Sequence, residues 1–330
     1  MATPQHPLHS GFGAGSTTTD VLAGIDLAGR TAVVTGANSG LGLQTALALG
    51  KAGARIVVLD RDTAGARDAL AGIPAEFVTL DLSDPASIDA AAEGIGPAVH
   101  ILVESAGIMA APLGRDSRGN ELQFSVNYLG HFQLAARLWP ALRAAGGARV
   151  VTLTSLGHRH SAVDFDDPNF QSRSYDPWLG YGQSKTAMSL FAVELDRRGQ
   201  DFGVRAFAAH PGSIVATGLK RYLTTEELAA AGMVNPDGSP ILDPAKQLKT
   251  PAQGAATPVW CATSPQLAGL GGVYCENCDI AEPAATGEGG DVQDLGAFND
   301  ISGVMPYAVD PAQARRLWTL SEELTGVSFL

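Results

Sequence analysis

From Thr31 onward the apolar residues fall in short unbroken runs instead of alternating with polar ones: "TAVVT" at 31–35, "RIVVL" at 55–59, "EFVTL" at 76–80, "HILVE" at 100–104, "ARVVTLT" at 148–154 and "VRAFAAH" at 204–210. Runs of this length, rich in β-branched residues, suit strands that are covered on both faces. Segments of helical length, rich in Ala and Leu, separate them. The pattern predicts an α/β fold, a doubly wound parallel sheet of the Rossmann type, with ligands at the carboxyl ends of the strands. Residues 1–24 lack the pattern, and their Gly, Ser, Thr, Pro and His content predicts a flexible N-terminal extension. Its "GFGAG" has neither a strand before it nor an amphipathic helix after it, and reads as linker. Residues 25–330 then form a single domain without an internal repeat. Within it the stretch from about 218 to 250, with "VNPDGSPILDP", is an irregular insertion and a candidate lid, and "PAQARRLWTLSEELTG" at 311–326 is a further helix after a Gly/Glu-rich loop.

Composition narrows the function classes. The 330 residues, 45% hydrophobic, suffice for a large core. A formal net charge of -12 argues against a nucleic-acid or anionic-membrane surface and leaves small molecules as the expected partners. No apolar run reaches the roughly eighteen residues of a membrane span, and the start of the chain lacks a basic and apolar leader pattern. Three cysteines do not build a disulfide framework, so a cytoplasmic protein is expected. Cys275 and Cys278 in "CENC" are spaced like half of a metal site, but only Cys261 remains to complete it. No HExxH frame supports His131, His158, His160 or His210 as ligands. The expectation is no metal, reduced thiols in a loop (with a redox pair as the alternative), and histidines that lie at the surface or beside substrate.

The chemistry begins with "TGANSGLG" directly after the first strand. Gly36, Gly40 and Gly42, with Asn38, Ser39 and Leu41 between them, lead into the helical "LQTALALGKAGA". Such a turn lets a pyrophosphate approach backbone N–H groups at a helix N-terminus, where the dipole favours negative charge. Asp60 ends the second strand, where a carboxylate accepts hydrogen bonds from both ribose hydroxyls and repels a 2'-phosphate. Its neighbour Arg61 could pair with that phosphate instead, so NAD is the expected cofactor and NADP the alternative. Asp81, followed by Leu82, can reach the adenine amino group or serve as an N-cap.

Near the middle of the chain, "YGQSK" puts Tyr181 and Lys185 on one helical face. In order and spacing, "TGANSGLG", Asp81-Leu82, Asn127 in "FSVNYLGHF", Ser155 ending "VVTLTS", "YGQSK" and "HPG" at 210–212 resemble the short-chain dehydrogenase/reductase family over about residues 27–265. The wording "GHF", "YGQSKTA" and "FAVELDRR" is most similar to the branch with retinol-dehydrogenase-like and WW-domain-oxidoreductase-like proteins. The resemblance implies a catalytic tetrad of Asn127, Ser155, Tyr181 and Lys185, in which the Asn127 backbone carbonyl holds a water that relays protons from the lysine. A surface asparagine is the alternative for Asn127. The resemblance also implies Ala106 and Gly107 beside the cofactor, its nicotinamide against Pro211-Gly212 with the amide near Ile214 and Thr217, and a homodimer or tetramer. Two departures stand out: "ESAG" replaces the usual "NNAG", bringing Glu104 where an amide is expected, and Thr217 follows "PG" one residue late.

The physics of the pair agrees with this implication. A free phenol ionises near pH 10, and bringing it to about 7 takes roughly 4 kcal/mol. A lysine cation about 4 Å away supplies energy of that order at an effective dielectric of about 20. Ser155 can hydrogen-bond the substrate oxygen; a strand-end cap is its alternative role. The expected reaction is hydride transfer between NAD(H) and an alcohol or carbonyl with Tyr181 as general acid/base. Leu219, Leu223, Leu228 and Met233 in the lid suggest an apolar substrate. Trp178 and Tyr175 could flank that substrate or pack under the lid. The rival readings are a reductase of an activated C=C bond, an enzyme acting on a sugar-nucleotide, and a non-catalytic nucleotide-sensing interaction protein.

Overall fold

The computed structural model describes residues 3–284 and 301–329; the Gly/Glu-rich loop noted above lies largely outside the described residues. The six expected strands are β1 Thr31–Thr35, β2 Arg55–Asp60, β3 Ala75–Thr79, β4 Ile101–Glu104, β5 Ala148–Leu153 and β6 Val204–His210, followed by β7 Val273–Glu276 and β8 Asp279–Ile280. The sheet order is β3-β2-β1-β4-β5-β6-β7-β8, parallel except for β8. The α-helices among the described residues are α1 Thr18–Val21, α2 Gly40–Lys51, α3 Ala64–Ala69, α4 Pro85–Glu93, α5 Leu122–Phe124, α6 Gly130–Ala144, α7 Pro177–Gly199, α8 Thr225–Ala230, α9 Pro251–Gly254, α10 Ala256–Thr263 and α11 Pro311–Thr325.

Val33 belongs to the core on the α6 and α7 face, and its neighbour Val34 to the core on the α2 and α10 face. Consecutive side chains of a strand point to opposite faces, so a strand covered on both sides reads as a continuous apolar run. Helices α4, α7 and α11 start where the sequence offers a cap. Asp84, Asp176 and Asp310 each accept backbone N–H groups of the first turn and each precede a proline at N1. Because β1 lies between β2 and β4, the chain reverses direction across the sheet there and opens a crevice at the strands' carboxyl ends.

The structure corrects two sequence expectations. The "CENC" segment is a hairpin: Glu276 pairs with Asp279, and both intervening residues, Asn277 and Cys278, have positive φ (51° and 59°), the requirement of a type I' turn. Cys275 therefore lies in a buried strand and Cys278 in a buried turn, with all three cysteines free. The N-terminal segment, expected to be loosely held, is bound along this hairpin. The Gln5 amide donates to the carbonyls of Tyr274 (2.8 Å) and Ala281 (2.7 Å) and accepts from the Tyr274 N–H (2.9 Å). Leu8 and Ser10 donate their N–H groups to the Asp279 carboxylate, and Val21 of α1 is buried. Segments poor in apolar residues can be held by hydrogen bonds to backbone and carboxylate groups of a hairpin, which hydropathy does not register.

Candidate active site

The turn between β1 and α2 leaves no room for a Cβ at two of its glycines. Gly36 has φ +68° and a Cβ there would lie 2.8 Å from the Ala106 Cα; a Cβ on Gly42 would lie 2.3 Å from the Gly36 carbonyl oxygen. Thr35 braces the other strand end: its Oγ1 accepts the N–H groups of Ser105 (2.9 Å) and Ala106 (3.0 Å). Against this floor lies a cavity of about 320 Å³ bordered by Gly36, Ser39, Gly40, Leu41, Gly42, Asp60, Arg61, Asp81, Leu82, Ala106, Gly107 and Thr217. All of these were candidate cofactor residues. Asn38 is the exception: its Oδ1 accepts the Ala66 N–H (3.0 Å) and its own N–H goes to Asp60 Oδ2 (3.0 Å), so it steadies α3 and the carboxylate without lining the cavity. Asp81 borders the cavity and is not the alternative N-cap, which is Asp84; its Oδ1 accepts from the Ser83 N–H (2.9 Å) and hydroxyl (2.6 Å) in the turn before α4. The segment from about 218 to 250 adds Arg221 and Tyr222 to the wall, which sequence reasoning missed. A cation in an insertion at the strands' carboxyl ends, facing an expected anionic ligand, was the available signal.

Glu104 ends β4 fully buried, with neither carboxyl oxygen hydrogen-bonded. Burial pushes its pKa well above the carboxylate range, so the group is held protonated. The strand-end hydrogen bonding that its presence put in doubt is supplied by Thr35.

At the chemical end, Asp176 caps α7 and sets the register that buries Tyr181 and Lys185. Ser155 follows β5, caps the short turn Leu156–His160 through the Gly157 N–H (3.0 Å), and hydrogen-bonds Tyr181. Ser155 thus serves as a cap and also faces the phenol. A Cβ on Gly157 would lie 2.6 Å from the Tyr181 ring. The Lys185 Nζ donates to the Leu153 carbonyl (2.8 Å) and lies 5.7 Å from the Tyr181 ring centroid. Asn127 sits in a π-helical turn, Ser125–Leu129, between α5 and α6. It is buried, unlike the surface alternative, and its side chain ties Ile108 (N–H 2.8 Å, carbonyl 2.9 Å) to Ser184 (2.9 Å); it lines neither cavity. The acid shift expected of the phenol is not present in the chain alone. Burial moves Tyr181 up to about 12 and Lys185 down to about 8, because the ammonium is directed at a carbonyl and no opposite charge offsets desolvation.

A second cavity of about 160 Å³ opens over Ser155, Tyr181 and Lys185. Pro211, Gly212, Ile214 and Thr217 border it, as do Leu219, Leu223, Leu228 and Met233 of the segment from about 218 to 250, with Met109, Leu156 and Trp178. Tyr175 instead donates its hydroxyl proton toward the Ala111 carbonyl (2.8 Å). The two cavities share Leu41, Ser105, Gly107, Thr217 and Leu219. The four histidines considered for metal binding are all buried, and only His160 and His210 border this cavity. Among the described residues no group of three metal-ligating side chains gathers, and no helix is long and apolar enough to cross a membrane.

The chain is similar to known proteins in sequence and fold. The family profile for short chain dehydrogenase matches residues 30–228. A Streptomyces lividans protein named "Probable oxidoreductase" is 44% identical over 303 residues, covering 89% of this chain and 97% of that protein. Human retinol dehydrogenase 13 is 35% identical over 311 residues, covering 91% and 85%. A solved structure from Beutenbergia cavernae, described as an NAD(P) dependent gluconate 5-dehydrogenase with NADP bound at low occupancy, superposes with a TM-score of 0.59 at 26% identity over 76% of this chain and 96% of that one.

Proposed function

Since the chain belongs to the short-chain dehydrogenase/reductase family of oxidoreductases, we propose that it interconverts an alcohol and its carbonyl with a nicotinamide dinucleotide, using Tyr181 as the proton donor and acceptor. The observation that carries this reading is a buried phenol, hydrogen-bonded to Ser155 and backed by Lys185, facing an apolar cavity that adjoins a glycine-floored one. The glycine cradle, with no room for a Cβ at Gly36 or Gly42, fits a dinucleotide pyrophosphate. When bound, the nicotinamide supplies or accepts the hydride. Asp60, fixed at the cavity rim by the Asn38 N–H, favours NAD by hydrogen-bonding ribose hydroxyls. Arg61 and Arg221 on the same wall, and the NADP in the Beutenbergia relative, keep NADP as the competing cofactor.

Ser155 orients the substrate oxygen by a hydrogen bond that strengthens as negative charge develops there. A phenol near 12 is protonated at neutral pH and can deliver its proton to the alkoxide formed in carbonyl reduction. Oxidation runs in reverse and needs positive charge beside the phenoxide, which Lys185 provides while it is an ammonium. In this reading the Asn127 carbonyl and a water return the proton to Lys185. The leucines and Met233 of the lid favour a substrate with an apolar body.

The test is NAD(P)H oxidation with a panel of apolar aldehydes and ketones, comparing wild type with Tyr181→Phe. We expect a loss of at least about a hundredfold in kcat for Tyr181→Phe with cofactor binding retained, and a preference for NADH. Unchanged turnover in that variant would refute the mechanism, and a preference for NADPH would refute the assignment of Asp60. The rate of reduction should hold level up to about pH 8 and fall above it as Lys185 loses its proton.

A further inference from the structure

His131 lies one helical turn past Asn127, is fully buried, and borders neither cavity. Its ring makes two hydrogen bonds, Nε2 with Thr35 Oγ1 at 2.9 Å and Nδ1 with the Asn127 backbone carbonyl at 2.8 Å. Thr35 determines which nitrogen carries the proton. A threonine hydroxyl has one proton and two acceptor lone pairs. The Ser105 and Ala106 N–H groups occupy both lone pairs, so the hydroxyl proton must point at His131 Nε2. A neutral imidazole accepting at Nε2 has its proton on Nδ1, and it donates that proton to the Asn127 carbonyl. An imidazolium would aim a second N–H at a hydroxyl with no acceptor capacity left. Burial and the nearby Lys185 also oppose the charged form, lowering the His131 pKa to about 4.

The receiving carbonyl is in an unusual stretch of backbone. Asn127 sits in the π-helical turn, where the Gly130 N–H reaches back five residues to the Ser125 carbonyl. Widened turns of this kind loosen the direction of their carbonyls, and a donor from the next turn fixes it. The other end of the chain of hydrogen bonds is Ser105–Ala106, part of the nucleotide cavity wall. Lys185 is close by: a Cβ placed on Gly107 would sit 3.1 Å from Asn127 Oδ1 and 3.7 Å from Lys185 Nζ.

We propose that His131 is a positioning residue which, in the Nδ1–H tautomer imposed by Thr35, aims the Asn127 carbonyl and so links the cofactor floor to the proton-return path. This rests on the oxidoreductase reading above. Two variants and one spectrum test it. In His131→Leu, which cannot donate to the carbonyl, kcat should fall about tenfold or more. The carbonyl KM and the NADH Kd should stay within about twofold, and the D2O effect on kcat should grow as proton return becomes limiting. His131→Gln, whose amide can both accept and donate, should recover most of the rate. Independently of turnover, nitrogen NMR of histidine-labelled wild type should show His131 neutral between pH 6 and 9 with its proton on Nδ1. A wild-type kcat and D2O effect in His131→Leu would overturn the proposal, as would the Nε2–H tautomer. So would a loss of rate matched by an equal loss of NADH affinity, which would mark a merely structural part. Turnover surviving in Tyr181→Phe would instead remove the underlying reading of the site, and the tautomer spectrum would still decide the hydrogen bond.

Discussion

Glu104 is a protonated carboxyl enclosed by the sheet, and its neutral state ties folding to pH. In the unfolded chain a glutamate ionises near pH 4.3. The folded group titrates at higher pH, so its contribution to stability is full below about pH 4 and drains as pH rises, by about 1.4 kcal/mol per pH unit until the buried group itself ionises. Glu104→Gln keeps the shape and removes the acid. Urea unfolding should find the variant equal to wild type at pH 4 and clearly more stable at pH 8, and parallel pH profiles would refute the protonated assignment. At this scale the sequence was legible in which residues come together, as Tyr181, Lys185 and Ser155 do around one cavity. It was less so where the environment decides: Tyr181 was expected to be acidified by Lys185, but desolvation outweighs a cation that is engaged with the Leu153 carbonyl. His131 was expected near the surface or substrate, because one sequence position does not reveal that Thr35 and Asn127 converge on it.

Secondary-structure elements were legible in proportion to their local signals. β1, β2 and β4 to β6 announce themselves as apolar runs, and the Asp-Pro pairs at 84, 176 and 310 mark helix starts. β7 and β8 were not seen. "VYCE" spans four residues, the second strand spans two, and the turn between them has Asn277-Cys278 instead of the Asn-Gly that signals a hairpin. The β1–α2 turn offers a test at this level. Gly42→Ala forces a Cβ to within 2.3 Å of the Gly36 carbonyl oxygen, so the turn must shift. We expect a destabilisation of about 1–3 kcal/mol and at least a tenfold loss of NADH affinity by fluorescence titration. Gly15→Ala, with nothing within 4 Å, should alter neither quantity. Equal effects of the two substitutions would rule out steric exclusion as the reason for the glycine.

Across the whole molecule, the doubly wound sheet follows from the order of runs and helices, while the course of residues 3–24 does not, because it depends on polar contacts with residues some 270 positions away. Through the Gln5 amide, this segment closes the open end of the β7–β8 pair at Tyr274 and Ala281 and satisfies backbone groups there. Gln5→Ala removes three hydrogen bonds at about 1 kcal/mol each. It should lower Tm by several degrees, whereas an unchanged Tm would show that these contacts contribute nothing to stability.

The wall common to the two cavities has a kinetic consequence. Leu41, Ser105, Gly107, Thr217 and Leu219 touch both spaces, so whatever fills the larger one becomes a side of the smaller. On the proposed reading such a partition would impose a queue: the dinucleotide would enter first and leave last, and the carbonyl would meet a chamber already built for it. Spent dinucleotide would then compete with fresh dinucleotide alone, while the alcohol product would compete with neither partner in the simple way.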